Sequence, residues 1–276
     1  MRLVETLEDL RKALAGLSRP VGLVPTMGYL HAGHLSLVQR ARQECNSVVV
    51  SIYVNPSQFG PQEDLNKYPR NLSRDLEMLS AENVDLVWTP GDTVMYPPGY
   101  QTWITVEQVT QPLEGAFRPT HFRGVSTVVA KLFNAVQPQK AYFGQKDAQQ
   151  AVVIRTMSRD LGFPIGIVVC PIVREPDGLA MSSRNVYLKP DERQAAVVLS
   201  RGLFKARENF EAGERESSRL RQIVVDTIAT QSLVKVQYVS CADPQTLQEL
   251  EGQVEHALIS LAVTVGKTRL IDNVIV

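Results

Sequence analysis

Through residue 175 the chain alternates short β-rich runs with amphipathic helical patterns, and that alternation constrains the fold more than any other feature. The runs at 21–25 (VGLVP), 47–55 (SVVVSIYVN), 84–90 (VDLVWTP), 140–144 (KAYFG) and 165–175 (IGIVVCPIVRE) read as strands. Between them, 34–43, 72–82, 124–137 and 147–162 place apolar residues at helical spacing. Strands separated by helices make parallel pairs, and a parallel sheet must be covered on both faces. The expectation is an α/β, Rossmann-like domain over residues 1–174.

Beyond it the pattern changes. A polar loop, PDGLAMSSRN, leads into two long helical patterns, 190–213 and 216–231, and then into alternating segments that run to the C-terminus. A smaller α+β domain over residues 175–276 is expected there, closing over the site of the first.

Bulk composition removes several classes of function. The 29 basic and 29 acidic residues cancel, so no excess positive field is available to hold nucleic acid by its phosphates. The three cysteines (Cys45, Cys170, Cys241) are far apart and odd in number, a poor disulfide framework that fits a reducing compartment. The start, MRLVETLEDLRKALAG, is charged at helical spacing and lacks the apolar core of a signal peptide. SVVVSIYV is too short to span a bilayer. A cytoplasmic protein without a membrane partner is expected.

Ligands of open parallel sheets bind beyond the carboxyl ends of the strands. Four unusual loops follow expected strands and should therefore cluster. The first is PTMGYLHAGH (25–34), which holds two of the chain's four histidines, His31 and His34. Its glycines let backbone approach a ligand, and the helix starting near Gly33 offers free N–H groups to a phosphate. Two imidazoles there could donate to a phosphate and stabilise developing charge. A plain capping loop with solvated histidines is the alternative. Zinc lacks ligands, since only His121 and His256 remain and no cysteines are paired.

The second is YFGQKDAQQ (142–150), where Lys146 stands at a helix start, against the dipole, and so invites an anion. Its alternative is a solvated lysine beside a capping Asp147. The third, MSSRN (181–185), offers two hydroxyls and a guanidinium suited to phosphate, or simply a polar turn. The fourth, NPSQFG (55–60), presents Gln58, an amide able to orient a hydroxy acid without adding charge. Neither a P-loop nor a G-x-G-x-x-G fingerprint is present.

Together these stretches resemble the pantoate–β-alanine ligase family. PTMGYLHAGH is similar to its H-x-G-H signature, shared with the wider HIGH-signature nucleotidyltransferase superfamily. VNPSQFG, FRPTHFRGVSTVVAKLFN, YFGQKDAQQ and MSSRNVYL resemble its other blocks, in order, across nearly the whole chain. The resemblance implies condensation of pantoate with β-alanine through a pantoyl adenylate, using ATP and Mg²⁺ and releasing AMP and pyrophosphate, by a homodimer. It implies an ATP site of Met27, Gly28, Tyr29, Leu30, His31, Ala32, Gly33 and His34, with Gly144, Gln145, Lys146 and Asp147, and with Val173, Met181, Ser182, Ser183 and Arg184. Catalytic roles fall to His34, His31, Lys146 and Arg184. Gln58 and Gln150 would hold pantoate, and Gln58 would border β-alanine. Asp75 is a candidate for Mg²⁺, against the ordinary reading of a helical acid as solvated surface. His121 in RPTHFRG reads best as a packed structural histidine beside Phe122.

Two rivals remain open at this point: a nucleotidylyltransferase of the same superfamily, which leaves the two glutamines without a task, and a nucleotide-binding module without turnover. An aminoacyl-tRNA synthetase fits less well, because the chain is short and has no basic tRNA-binding domain.

Overall fold

Strand β1 (Arg2–Val4) and helix α1 (Leu7–Leu14) open the chain, followed by β2 (Val21–Thr26), α2 (Ala32–Glu44), β3 (Ser47–Ile52), α3 (Leu72–Ala81) and β4 (Leu86–Trp88). Two short helices, α4 (Asp92–Met95) and α5 (Glu114–Phe117), precede α6 (His121–Val136), β5 (Lys140–Gly144), α7 (Ala148–Asp160) and β6 (Gly166–Cys170). The remainder holds α8 (Pro190–Ala196), α9 (Val198–Glu211), α10 (Ser217–Ile228), β7 (Val234–Ala242), β8 (Leu258–Val265) and β9 (Thr268–Ile275). The computed structural model describes residues 1–61 and 63–276.

The first six strands form one parallel sheet in the order β1-β4-β3-β2-β5-β6. Its strands are buried on both faces. Leu23 and Val49 join the core beneath α1 and α6, whereas Val24, Val48 and Val50 join the core beneath α2 and α3. Full burial of such a side chain contributes about 1.5–3 kcal/mol, which lets the sheet carry polar loops at one end.

The strand order reverses at β2, which has β3 on one side and β5 on the other. β2 pairs with β3 along its whole length, from Val21↔Ser47 to Thr26↔Ile52. With β5 it pairs only at Gly22↔Lys140 and Leu23↔Ala141. The carboxyl ends of β2 and β5 therefore diverge, opening a crevice at the point where doubly wound sheets bind ligands.

The C-terminal sheet is antiparallel, in the order β7-β8-β9, with α9 and α10 packed on it around Leu203, Leu220, Ile259 and Leu261. Leu258 instead meets Ala148 and Val152 of α7, joining the two sheets through shared packing.

Several sequence expectations need correction. β1 lies within the stretch read as charged helix; it is a three-residue edge strand and too short for a period. The strands expected over 47–55, 84–90 and 165–175 end at Ile52, Trp88 and Cys170. The single helical pattern over 190–213 is divided at Val197 into α8 and α9. The MSSRN loop is wound into a 3₁₀ turn over Ser183–Tyr187, with the Ser182 hydroxyl accepting from the Arg184 amide at its start. Among the described residues no helix is long and apolar enough to cross a membrane.

Candidate active site

A cavity of about 220 Å³ fills the crevice at the carboxyl ends of β2 and β5. All four loops singled out in the sequence reach it. Met27, His31, Gly33 and His34 come from the β2–α2 connection, and Gln58 from the turn after β3. Gly144, Lys146, Asp147 and Gln150 come from β5 and the start of α7. Val173, Met181, Ser182, Ser183 and Arg184 come from the segment after β6. Gly28, Tyr29, Leu30, Ala32 and Gln145 stand behind this lining.

The two histidines are half-buried in the cavity wall. His31 is the N-cap of α2, and its Nδ1 accepts from the Gly33 amide at 3.2 Å. Reciprocally, the His31 amide donates to His34 Nδ1 at 3.4 Å. The rings lie 4.1 Å apart. Burial, followed by the positive charge of Lys146, lowers the His31 pKa to about 4. Burial, followed by the neighbouring His31 and by Lys146, holds His34 well below the ordinary histidine range. Both rings are thus neutral near pH 7. Because each Nδ1 accepts an amide, the ring proton is assigned to Nε2. The capping geometry fixes the tautomer and leaves an N–H donor on each ring.

The loop that presents them is held from α3. Gly28 (φ +82°) and Tyr29 (φ +51°) are left-handed, a conformation that costs a tyrosine energy. Asp75 holds the loop in this shape: its two carboxylate oxygens accept from the Tyr29 and Leu30 amides, each at 2.7 Å. Arg74 Nη1 donates to the Leu30 carbonyl at 2.9 Å and its guanidinium stacks over the Tyr29 ring. Asp75, only 1% exposed, is not the solvated acid that the sequence allowed, and it stands behind the cavity lining where a Mg²⁺ ligand was expected. Both oxygens are engaged by the loop, so its part is structural.

Lys146 sits in a 3₁₀ turn, Gln145–Asp147, ahead of α7. Asp147 makes no side-chain cap to α7, so the bland reading of this pair as a helix cap is not what the chain builds. The Lys146 ammonium lies 3.6 Å from the Asp147 carboxylate, too long for a hydrogen bond. Across the cavity Arg184 forks onto Asp64, both contacts at 2.9 Å. Burial works to raise the Asp64 carboxyl, but the Arg184 pair outweighs it and keeps it below the ordinary range. Ser183 Oγ donates to the Tyr29 carbonyl at 3.3 Å, tying this segment to the histidine loop.

Gln58 is 8% exposed; its Oε1 accepts from Asn55 Nδ2 at 3.0 Å and its Nε2 faces the sulfur of Met27. Its turn packs directly on α6 at Gly124, where a Cβ would come within 2.4 Å of the Ser57 carbonyl. Next to it α6 lines the cavity with Val125, Val128, Val129 and Leu132. His121 is packed, as the sequence suggested. It sits edge-on to Phe122 with its Nδ1 2.9 Å from the Gln58 carbonyl, and it also borders the cavity.

Sequence reasoning did not find Tyr53, Asn55, Tyr68 or Arg118, which also line the cavity. Asn55 had a signal in the N-P step that opens the turn after β3. Tyr68 and the α6 valines had none, since an aromatic in a loop and valines on a helix are ordinary core material.

Among the described residues no group of three or more His, Cys, Asp or Glu side chains could hold a metal ion. The arrangement can do something else. It offers neutral imidazole N–H groups, a lysine and an arginine to an extended anion, beside an apolar wall carrying amides.

Comparison with known proteins agrees with this geometry. The family model for pantoate–β-alanine ligase matches residues 2–275. A pantothenate synthetase from Roseiflexus sp. (strain RS-1) is 59% identical over 273 residues, covering 99% of this chain and 98% of that one. The crystal structure of pantothenate synthetase from Thermus thermophilus superposes with a TM-score of 0.95 at 48% identity, covering 99% of both chains. A third relative is the pantoate-β-alanine ligase of Francisella tularensis, solved in complex with β-γ ATP and β-alanine. It has a TM-score of 0.82 at 33% identity over 99% of this chain and 97% of its own. The chain belongs to the pantoate–β-alanine ligase family.

Proposed function

We propose that this cavity binds ATP, pantoate and β-alanine and joins the two acids through a pantoyl adenylate. The observation that carries this is the pair of neutral histidines at the start of α2, each with an Nε2–H to give, opposite Lys146 at the divergence of β2 and β5. A pantoate carboxylate oxygen attacks the α-phosphorus, and pyrophosphate leaves. The amine of β-alanine then attacks the acyl carbon; AMP leaves and the amine gives up a proton.

His34, with His31 assisting, donates to the phosphates as negative charge builds, and Lys146 adds its ammonium. Arg184 completes the phosphate contacts by exchanging Asp64 for the nucleotide. Asp147 takes the ribose. The residues at 27–34, 144–147, 173 and 181–184 form the ATP site, the outer ones by shaping the loops. Gln58 and Gln150 hold pantoate, whose hydroxyls need amide partners and whose two methyl groups suit the valine wall of α6. Gln58 also borders β-alanine.

Mg²⁺ belongs to the same reading only as a partner of the ATP phosphates, in line with its usual mode, because the described residues offer no cage for it and Asp75 is engaged by the loop. We place the domain boundary at 174/175, with residues 175–276 closing over the ATP site, and the protein as a cytoplasmic homodimer acting on small molecules. Three buried free thiols fit a reducing compartment.

The test is product identity. Incubation with ATP, Mg²⁺, pantoate and β-alanine, each omitted in turn, should give AMP and pyrophosphate in equal amounts only in the complete mixture. ADP and phosphate would mean acyl-phosphate chemistry and would remove the adenylate from the mechanism.

A further inference from the structure

We propose that Asn273, on the last strand of the C-terminal sheet, is a positioning residue that fixes where the Lys146 side chain begins. The inference rests on the reading of Lys146 as a phosphate ligand. Asn273 is 2% exposed and its amide is fully used. Nδ2 donates to the carbonyls of Gln145 and Lys146, both at 3.0 Å, and Oδ1 accepts from Gln145 Nε2 at 3.0 Å. The whole 3₁₀ turn is gripped by one side chain from a strand distant in sequence.

No side chain caps the turn at Gly144 and Asp147 makes no cap to α7, so the tie from the turn's own Gln145 also ends on Asn273. Lys146 reaches into the cavity on a flexible four-carbon stem, and the Asp147 carboxylate beside it is too far for a hydrogen bond. What limits the volume swept by the ammonium is therefore the backbone from which the stem departs. Asn273 is itself held firmly. Its amide N–H donates to Asp272 Oδ1 at 2.8 Å, and Asp272 accepts a fork from Arg174 at 2.6 and 2.9 Å. Arg174 in turn donates to the Gly178 carbonyl, within the excursion that ends at Met181. Two adjacent residues of β9 thus anchor both cavity-facing segments that flank the expected phosphate position.

The planar amide matters chemically. Two carbonyls and one amide N–H must be met from a single point, which takes two donors and one acceptor. Alanine meets none of them, and serine keeps one donor.

The test is a cycle of single-turnover adenylate formation in the native protein, Asn273→Ala, Lys146→Ala and the double variant, with thermal melting to confirm folding. If Asn273 acts through Lys146, Asn273→Ala slows adenylation ~10-fold, the scale of a misplacement below 1 Å. It leaves aminolysis of preformed pantoyl adenylate nearly unchanged. In the Lys146→Ala background it adds less than ~2-fold, because coupled residues are non-additive. Should Asn273→Ala fail to fold, Asn273→Ser gives the same pattern at a smaller amplitude. Equal factors in the two backgrounds, or equal losses in both half-reactions, would show a packing residue and overturn the inference alone. Near-native adenylation in folded Lys146→Ala would overturn the phosphate reading itself, and the inference with it.

Discussion

In the parallel sheet, the chain leaves regular structure as soon as each central strand ends. β2 runs into two left-handed residues and a histidine cap, β3 into the Asn55 turn, β5 into the Lys146 turn. Each departure leaves polar groups that must be satisfied by side chains. Asp75 of α3 meets the Tyr29 and Leu30 amides and Asn273 of β9 meets the Gln145 and Lys146 carbonyls, whereas the turn after β3 is capped by its own Asn55, which also donates to the Gly124 carbonyl of α6. In the antiparallel sheet the opposite holds. β8 and β9 pair without a break from Leu258↔Ile275 to Val265↔Thr268, turn at Gly266, and close an apolar core with α9 and α10. One region uses its strand ends for chemistry, and the other supplies rigidity, touching the chemistry through Asp272 and Asn273. A site with left-handed loops needs support from outside those loops, because backbone held in a costly conformation relaxes when its partners go.

The comparison breaks most visibly at His34. His34→Ala should slow adenylate formation by ~10²–10³-fold, the usual scale for losing one transition-state donor, while aminolysis of preformed adenylate is far better preserved. Equal impairment of the two half-reactions would show that His34 serves the amine step too, and the phosphate assignment would fall. The second region gives the mirror image. Leu203, fully buried in the α9–α10 core, should cost about 2–5 kcal/mol as Leu203→Ala, read by urea denaturation. Turnover per folded molecule should stay at the native level; a large loss would mean that this core acts on the chemistry by more than bracing.

Asp75→Asn sharpens the boundary between support and catalysis. Asparagine keeps one acceptor, so one of the two amides loses its partner, at about 1–3 kcal/mol of stability. Adenylation should slow with it, since His31 and His34 follow the loop, and added Mg²⁺ should not restore the rate. Recovery at high Mg²⁺ would return Asp75 to the role of metal ligand.

Taken per pH unit, the smallest effect is in the pH dependence of stability. Burial lowers His31 and His121 to about 4, whereas in the unfolded chain they titrate near 6.5. Between these values the unfolded state takes up protons that the folded state refuses. Stability therefore falls as pH drops through this window, by about 1 kcal/mol per histidine for each pH unit. Urea midpoints from pH 7 to 4.5 should show this slope, and His121→Asn should flatten it. An unchanged slope would mean that His121 is not held neutral by its burial.

How much of this was legible in the sequence follows from how local each signal is. The period of the apolar residues is set by neighbours a few positions away, so the strands and helices of the parallel sheet could be read directly, with ends wrong by a few residues. The exception, β1, is an edge strand of three residues with only Val4 buried. Three loops of the site could be found because glycine, histidine, lysine and arginine at strand ends carry chemistry in their residue type, and the fourth through the amide of Gln58 at the end of an expected strand. The resemblance in five blocks, spread along the chain, then made the family recognisable.

Tertiary structure decided what depends on partners distant in sequence. Asp75 looked like a surface acid or a metal ligand until α3 placed it against amides 46 and 45 residues away. His31 and His34 read as phosphate donors with a solvated capping loop as the alternative; reciprocal capping and partial burial then set their neutral state and which ring nitrogen carries the proton. Asn273 carried no signal, because an asparagine in an alternating strand says nothing about the carbonyls it will meet 127 and 128 positions earlier. Sequence determines which groups are present and their local period; only the folded chain determines which group satisfies which, because the cost of an unpaired buried polar atom is paid across space rather than along the chain.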